Sequence, residues 1–303
     1  MSEIVSKLKS IPILKNIIHF LQIIKIPGLN GLSLYDLIEM YVLGIINGAL
    51  TARAGSISFS FFMALFPFLL FILNLIPFIP IDNLDVIVFD FIEILLPKET
   101  HDFFSDIFLD IQSKPRRGLL SSVFLLSIFL TANGVNSIFV SFEESYHVES
   151  TRNFFKKYLF SIGVSILLAL LLLFAVVVFV YYEIYILQNL KEFLPNQVNS
   201  IRIGQVFFFI ALTYFSISIL YYFGTVEGKI HKFFSPGSIM TTFLIIISTY
   251  FFGVYVDKFS TYNQLYGSIG ALLILMLYIW INSNLLLLGF ELNATLKTLR
   301  LKE

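Results

Sequence analysis

The run from Gly267 to Phe290, GSIGALLILMLYIWINSNLLLLGF, is 24 residues without one charged side chain, and Glu291 follows it at once. As a helix it would extend about 36 Å, enough to cross the roughly 30 Å hydrocarbon core of a bilayer. A carboxylate placed where such a helix ends needs a partner or a task. Five other windows are nearly as apolar, at 54–79, 118–141, 158–182, 203–223 and 237–256, and the last span is set at 266–290. In lipid the backbone must satisfy its own polar groups, which these lengths allow as helices. The chain reads as an all-α polytopic membrane protein, with six transmembrane helices plus interfacial amphipathic helices.

Composition supports this. Charged residues are 13% of the chain and hydrophobic ones 57%, against about 25% charged in soluble domains. The 20 Lys and Arg balance the 20 Asp and Glu, so no net basic field exists to gather nucleic acid. The absence of Cys excludes disulfides and thiolate chemistry. The N-terminus carries no compact basic, apolar and small-residue cleavage pattern, so the first spans are expected to direct insertion themselves.

The chain divides into an N-terminal cytoplasmic or interfacial segment, 1–33, a six-span membrane domain, 34–298, and a short cytoplasmic tail, 299–303. In the first segment, residues 11–26 form an amphipathic helix. Lys15, His19, Gln22 and Lys25 share its polar face. It either lies in the membrane interface or packs on the protein's own spans. Pro27-Gly28 ends it, and Ser33 caps a second short helix. Pro67 falls inside the first span, where proline tends to kink a helix. Residues 81–117 form an extracytoplasmic loop of two short helices. Asp102, Asp106 and Asp110 recur on one side of the second, a row that reads as a solvated face rather than a metal site.

Catalytic patterns are missing. His19, His101, His147 and His231 lie on separate segments with no metal-ligand spacing. Glu143 and Glu144 are adjacent and would diverge on a helix. No Gly-rich phosphate loop or hydrolase motif is present. No enzyme activity and no cofactor are expected.

The polar groups within spans are more informative. Arg53 opens the first span and Glu291 closes the last, so the two could pair. Asn133 and Asn136 share one face of the second span. Asn282 and Asn284 lie in the sixth, and Ser56, Ser58 and Ser60 surround the first. Such groups either bond helix to helix or line a polar cavity. Gly267 and Gly270 read as close-packing positions.

Four ordered windows resemble the YihY/BrkB family of bacterial inner-membrane proteins. The first is Ala54-Gly55-Ser56-Ile57-Ser58-Phe59 with Leu65-Phe66-Pro67. The second runs from Asn133 past Glu143 to Tyr146-His147-Val148, then Arg152 and Lys156-Lys157. The third is Phe234-Ser235-Pro236-Gly237. The fourth is Leu265-Tyr266-Gly267-Ser268-Ile269-Gly270 with Leu288-Gly289-Phe290-Glu291-Leu292-Asn293. They cover residues 35–298. Phe290 departs from the family's small residue there, which predicts looser helix packing at that point. The resemblance implies a six-span fold in the bacterial inner membrane. It leaves function open, since the family has carried ribonuclease and virulence-factor labels and some members look like lipid or solute transporters.

The sequence therefore points to a transporter or flippase-like handler of a lipid or amphiphilic envelope precursor, not driven by ATP. A broken first span and a Pro-Gly opening of the fifth would fit discontinuous-helix transporters. The alternative is a non-transporting scaffold for envelope assembly, and a membrane-bound ribonuclease ranks last. Expected partners are membrane lipids and a second copy of the chain, with no nucleic acid. The candidate functional residues are Arg53, Ser56, Ser58, Pro67, Asn133, Asn136, Glu143, Tyr266, Gly267, Gly270, Asn282, Glu291 and Asn293.

Six spans put both termini on one side. With the termini inside, 13 of the 20 Lys and Arg residues are cytoplasmic. Reporter fusions at either terminus should register the cytoplasm, and a periplasmic signal from one of them would overturn the topology.

Overall fold

A computed structural model describes residues 12–25, 33–36, 38–39, 49–75, 86, 89, 105, 120–145, 152–181, 198–225, 233–258 and 268–301. The described helices are α1 (Pro12–Ile23), α2 (Leu50–Leu75), α3 (Leu120–Glu143), α4 (Phe154–Tyr181), α5 (Val198–Gly224), α6 (Pro236–Lys258) and α7 (Ser268–Leu301). The helices α2 to α7 are apolar all round, the pattern of a membrane span, whereas α1 is amphipathic. Five contain stretches long and apolar enough to cross a membrane: Leu125–Glu143, Phe154–Phe179, Gly204–Gly224, Pro236–Val256 and Gly270–Lys297. The sixth, α2, contributes the shorter apolar stretch Leu50–Leu65 within its 26 residues. The six expected spans correspond to these six helices.

The six helices form a ring in sequence order. Each packs against the next, and α7 packs back on α2. The helix α3 also touches α5 and α7, which carries its C-terminal half to the centre. There Ile138, Phe139 and Phe142 are fully buried among Ala54, Ile57, Leu220, Tyr221, Leu287 and Phe290. Phe142 stacks on Phe290, with ring centroids 4.0 Å apart and planes 4° from parallel. Tyr221 meets both rings edge-on. This core draws on α2, α3, α4, α5 and α7 at the end of the bundle that holds the start of α2 and the end of α3, here called the near end. Toward the far end the described packing divides into pairs. Ala175 and Phe179 of α4 meet Phe208 and Phe209 of α5, while Phe252 and Val256 of α6 meet Ile274 and Tyr278 of α7.

Several details differ from the sequence expectation. The helix α2 runs without interruption through Pro67, so the first span is not broken. Pro236 opens α6, as the Pro-Gly step indicated. It occupies the first position of α6, where its missing N–H costs nothing and Ser235 acts as the cap. The helix α7 does not stop at Phe290 but continues to Leu301, about 51 Å in all, so Glu291 lies within a helix rather than at its end. Ser33 caps as expected, accepting a hydrogen bond from the Asp36 N–H while Asp36 accepts from the Ser33 N–H. The proposed loop helices in 81–117 fall outside the described residues, apart from the isolated positions 86, 89 and 105.

Phe290 does not loosen the packing either. The close approach is made next door, where α6 and α7 meet through Gly237 and Gly289. A Cβ on Gly289 would lie 2.5 Å from the Tyr221 hydroxyl and 2.9 Å from the Gly237 carbonyl, as well as on the Thr241 hydroxyl. Only hydrogen fits there, a small-residue contact of the kind that holds membrane helices together. Gly289→Ala should therefore lower stability by about 1–3 kcal/mol through overpacking. Gly163→Ala, which meets nothing within 4 Å, should be neutral or slightly stabilising. Thermal unfolding in detergent checks both, and equal effects would contradict this contact.

Candidate functional site: three polar nodes at the near end

Arg53 sits in the first turn of α2, just after Ala49, which turns the chain with φ 45°. Its guanidinium reaches two helices. One arm, Nη1, donates to the Ser141 carbonyl of α3 at 2.8 Å, and the other, Nη2, donates to Glu291 Oε1 of α7 at 3.0 Å. Ser145, just past α3, donates to the second carboxylate oxygen at 2.7 Å. The side chains of Arg53 and Glu291 are only 4% and 9% exposed. The expected pair is thus made, and α2, α3 and α7 meet at it. Arginine suits the position because its planar fork can serve two acceptors at once.

A second node joins α3, α4 and α5. Glu143, buried at the end of α3, pairs with Lys157 of α4 at 2.6 Å and accepts from the Arg152 backbone N–H at 3.2 Å. Its neighbour Glu144 is exposed, as expected of adjacent helical positions. The Arg152 guanidinium donates to the carbonyls of Phe223, Gly224 and Thr225. These are among the carbonyls that the end of α5 leaves without intrahelical partners. It also lies 4.5 Å from the centre of the Phe160 ring. Burial lowers the Arg152 pKa from its ordinary value, and Glu143 opposes the fall. The guanidinium stays charged.

The third node joins α5, α6 and α7. Asn293 accepts from the Gly237 N–H at 2.8 Å and donates to Ser235 Oγ at 2.9 Å, satisfying the buried start of α6 from the neighbouring helix. One turn inward, the Tyr221 hydroxyl donates to the Leu286 carbonyl and bonds the Thr241 hydroxyl, both at 2.7 Å. The three nodes share α3, α5 and α7, so together they tie the near ends of all six helices.

The other candidates separate by role. Asn133 and Asn136 accept from Tyr158 and Ser161 of α4, so both bond across the α3–α4 seam. Ser56 bonds Ser137 of α3, and Ser58 donates to the Met276 carbonyl of α7. Asn282 crosses to no other helix. It donates to the Tyr278 carbonyl of its own turn, and among the described residues its buried Oδ1 has no partner. Asn284 bonds its own helix likewise. Pro67 is half-buried and Gly270 buried, away from the nodes. Tyr266 and Gly267 lie outside the described residues. Sequence reasoning missed Ser141 and Ser145 as partners of the ion pair, and Tyr221 and Thr241 as a buried hydroxyl pair. A serine or tyrosine at the end of an apolar run carries no mark of this use. Among the described residues no three His, Asp or Glu converge in a metal-binding arrangement.

Most side chains of these nodes, Glu143, Arg152, Lys157, Ser235, Glu291 and Asn293 among them, lie in the windows that carried the family resemblance, while Arg53, Tyr221 and Thr241 lie outside them. Comparison with known proteins agrees with the resemblance. The family model for the virulence factor BrkB matches residues 45–303. The chain belongs to the BrkB family. A putative ribonuclease-like protein, YfkH, of Bacillus subtilis is 30% identical over 250 residues, covering 81% of this chain and 89% of that protein. A UPF0761 membrane protein of Xanthomonas oryzae is 37% identical over 65 residues, 22% of this chain and 15% of the relative. No solved structure matches. With its apolar helices, this makes the chain an integral, multi-pass membrane protein of the BrkB family.

Breaking one side of the Arg53–Glu291 pair should strand a buried charge. Arg53→Gln or Glu291→Gln alone should cost about 3–5 kcal/mol. The double variant should cost less than the sum by roughly 1–3 kcal/mol. A double-mutant cycle read as thermal stability in detergent measures this coupling, and strictly additive losses would show that the pair carries none.

Proposed function

We propose that this protein moves a lipid or other amphiphilic envelope precursor across the bacterial inner membrane, as a transporter or flippase-like handler not driven by ATP. The observation that carries the reading is the asymmetry of the ring. Three polar nodes tie its near end, while its far end packs helix pair by helix pair among the described residues. With both termini cytoplasmic, the tied end faces the cytoplasm.

The seam between α2 and α7 is the natural place for the ring to open. The other five junctions join helices that follow one another in sequence. The α2–α7 junction joins the first and last spans, so no connecting segment limits their separation. It is held by the Arg53–Glu291 pair and, farther in, by the Ser58 bond to Met276. An amphiphile needs both a polar path for its headgroup and lateral access for its chains, and a seam latched by a charge pair offers both when released. Ion pairs within a membrane protein are costly to assemble and are characteristic of such pathways.

The printed name of the Bacillus subtilis relative includes "ribonuclease-like", but hydrolysis is not part of this proposal. Among the described residues, the buried charged groups at the near end, Arg53, Glu291, Glu143, Lys157 and Arg152, are engaged with one another and with backbone carbonyls rather than poised as an acid–base pair over a substrate.

Purified protein reconstituted into vesicles with a fluorescent phospholipid should speed the dye's exposure to an external quencher relative to protein-free vesicles. Glu291→Gln should change that rate several-fold. Rates equal to those of protein-free vesicles across zwitterionic and anionic headgroups would overturn the lipid-moving reading.

A further inference from the structure

The outer wall formed by α6 and α7 carries a groove of about 280 Å³ lined by Ser248, Phe251, Phe252, Tyr255, Leu277 and Ile281. We propose that this groove is a binding site for one acyl chain of a bilayer phospholipid.

Four observations fix the occupant's chemistry. The lining is almost wholly apolar. Every lining residue falls within the two membrane-crossing stretches Pro236–Val256 and Gly270–Lys297, where the surrounding solvent is hydrocarbon rather than water. The geometry is linear. Ser248, Phe251, Phe252 and Tyr255 follow one another at helical spacing along one face of α6, and Leu277 and Ile281 do so on α7. The groove therefore runs along the helix axes for about 10 Å, parallel to the chains of a lipid standing beside them. Finally, the sides of the groove stand out and its floor does not. Phe251, Tyr255 and Leu277 are exposed, whereas Phe252 is buried against Tyr278. Such a shape takes a slender flexible chain between its rims.

The site also has a depth. Residues 248–255 lie in the second half of α6 and residues 277–281 in the first half of α7, opposite the end that holds Glu291. The chain it takes belongs to a lipid of the leaflet at the far end. Beside the groove, Thr249 and Tyr278 bond each other through their hydroxyls at 2.9 Å on the exposed surface. Each thereby satisfies the other within the bilayer, which keeps this wall compatible with hydrocarbon. The site is separate from the α2–α7 seam and can hold a lipid whether or not the protein moves one.

The test uses the whole protein in vesicles of phosphatidylethanolamine and phosphatidylglycerol doped with a phospholipid bearing a photoreactive diazirine along one acyl chain. After irradiation, adducts are mapped by mass spectrometry. The peptides holding Phe251, Tyr255 and Leu277 should be labelled several-fold more than the exposed wall of α4 around Phe174 and Val177, which samples bulk lipid. Ser248→Phe, which fills the groove, should bring that labelling down to the α4 level and leave the α4 peptide unchanged. Equal labelling of both walls in the unmodified protein would overturn the proposal without any variant. So would undiminished groove labelling in a folded Ser248→Phe protein.

Discussion

A guanidinium and a carboxylate, 238 residues apart in sequence, meet at 3.0 Å and close a ring of six helices. Removing two charges from water costs several kcal/mol each, and their mutual attraction repays this only when the remaining polar atoms are also served. Here two of them are served from α3, and Arg53 Nε is left buried without a partner among the described residues. The Ser141 carbonyl takes the second arm of Arg53, and the Ser145 hydroxyl takes the second oxygen of Glu291. The end of α3 must therefore lie between α2 and α7, the same placement that puts Phe142 against Phe290. The ion pair and the aromatic stack fix one geometry from two directions. An apolar substitute could fill the volume, but it would not set the register of three helices, because dispersion has no preferred direction.

The other two nodes follow one logic. Each takes backbone groups that a helix end leaves without partners and satisfies them from a neighbouring helix. Arg152 serves the carbonyls ending α5, and Asn293 serves the N–H near the start of α6. In water such ends can solvate themselves. Near a membrane the protein has to supply the partners, and supplying them from a neighbour turns a local need into a tertiary bond.

The spans were legible because crossing a bilayer imposes a length and a composition that survive in any single window. The pairing of Arg53 with Glu291 was legible too, since each is a lone charge beside a charge-free run. Helix ends were not. Apolarity stops at the membrane while a helix need not, so α7 continues past Glu291 to Leu301. Pro67 illustrates the same limit, because a proline removes one hydrogen bond without requiring the helix to stop. Asn133 and Asn282 look alike in sequence, but one bonds across to α4 and the other folds back on its own turn. What separates them is the direction each faces, which depends on neighbours that no local pattern names. The hydroxyls of Ser145 and Tyr221 were invisible for the same reason.

Because the ring closes between its first and last helices, its order of manufacture matters. A chain emerging from the ribosome delivers Arg53 early and Glu291 only with the final helix. Until the last helix is made, Arg53 has no Glu291 to pair with, and the junction between the first and last spans cannot form. The last helix supplies both the counter-charge and the wall that closes the ring. A chain cut short before that helix would keep Arg53 and lose the carboxylate that neutralises it.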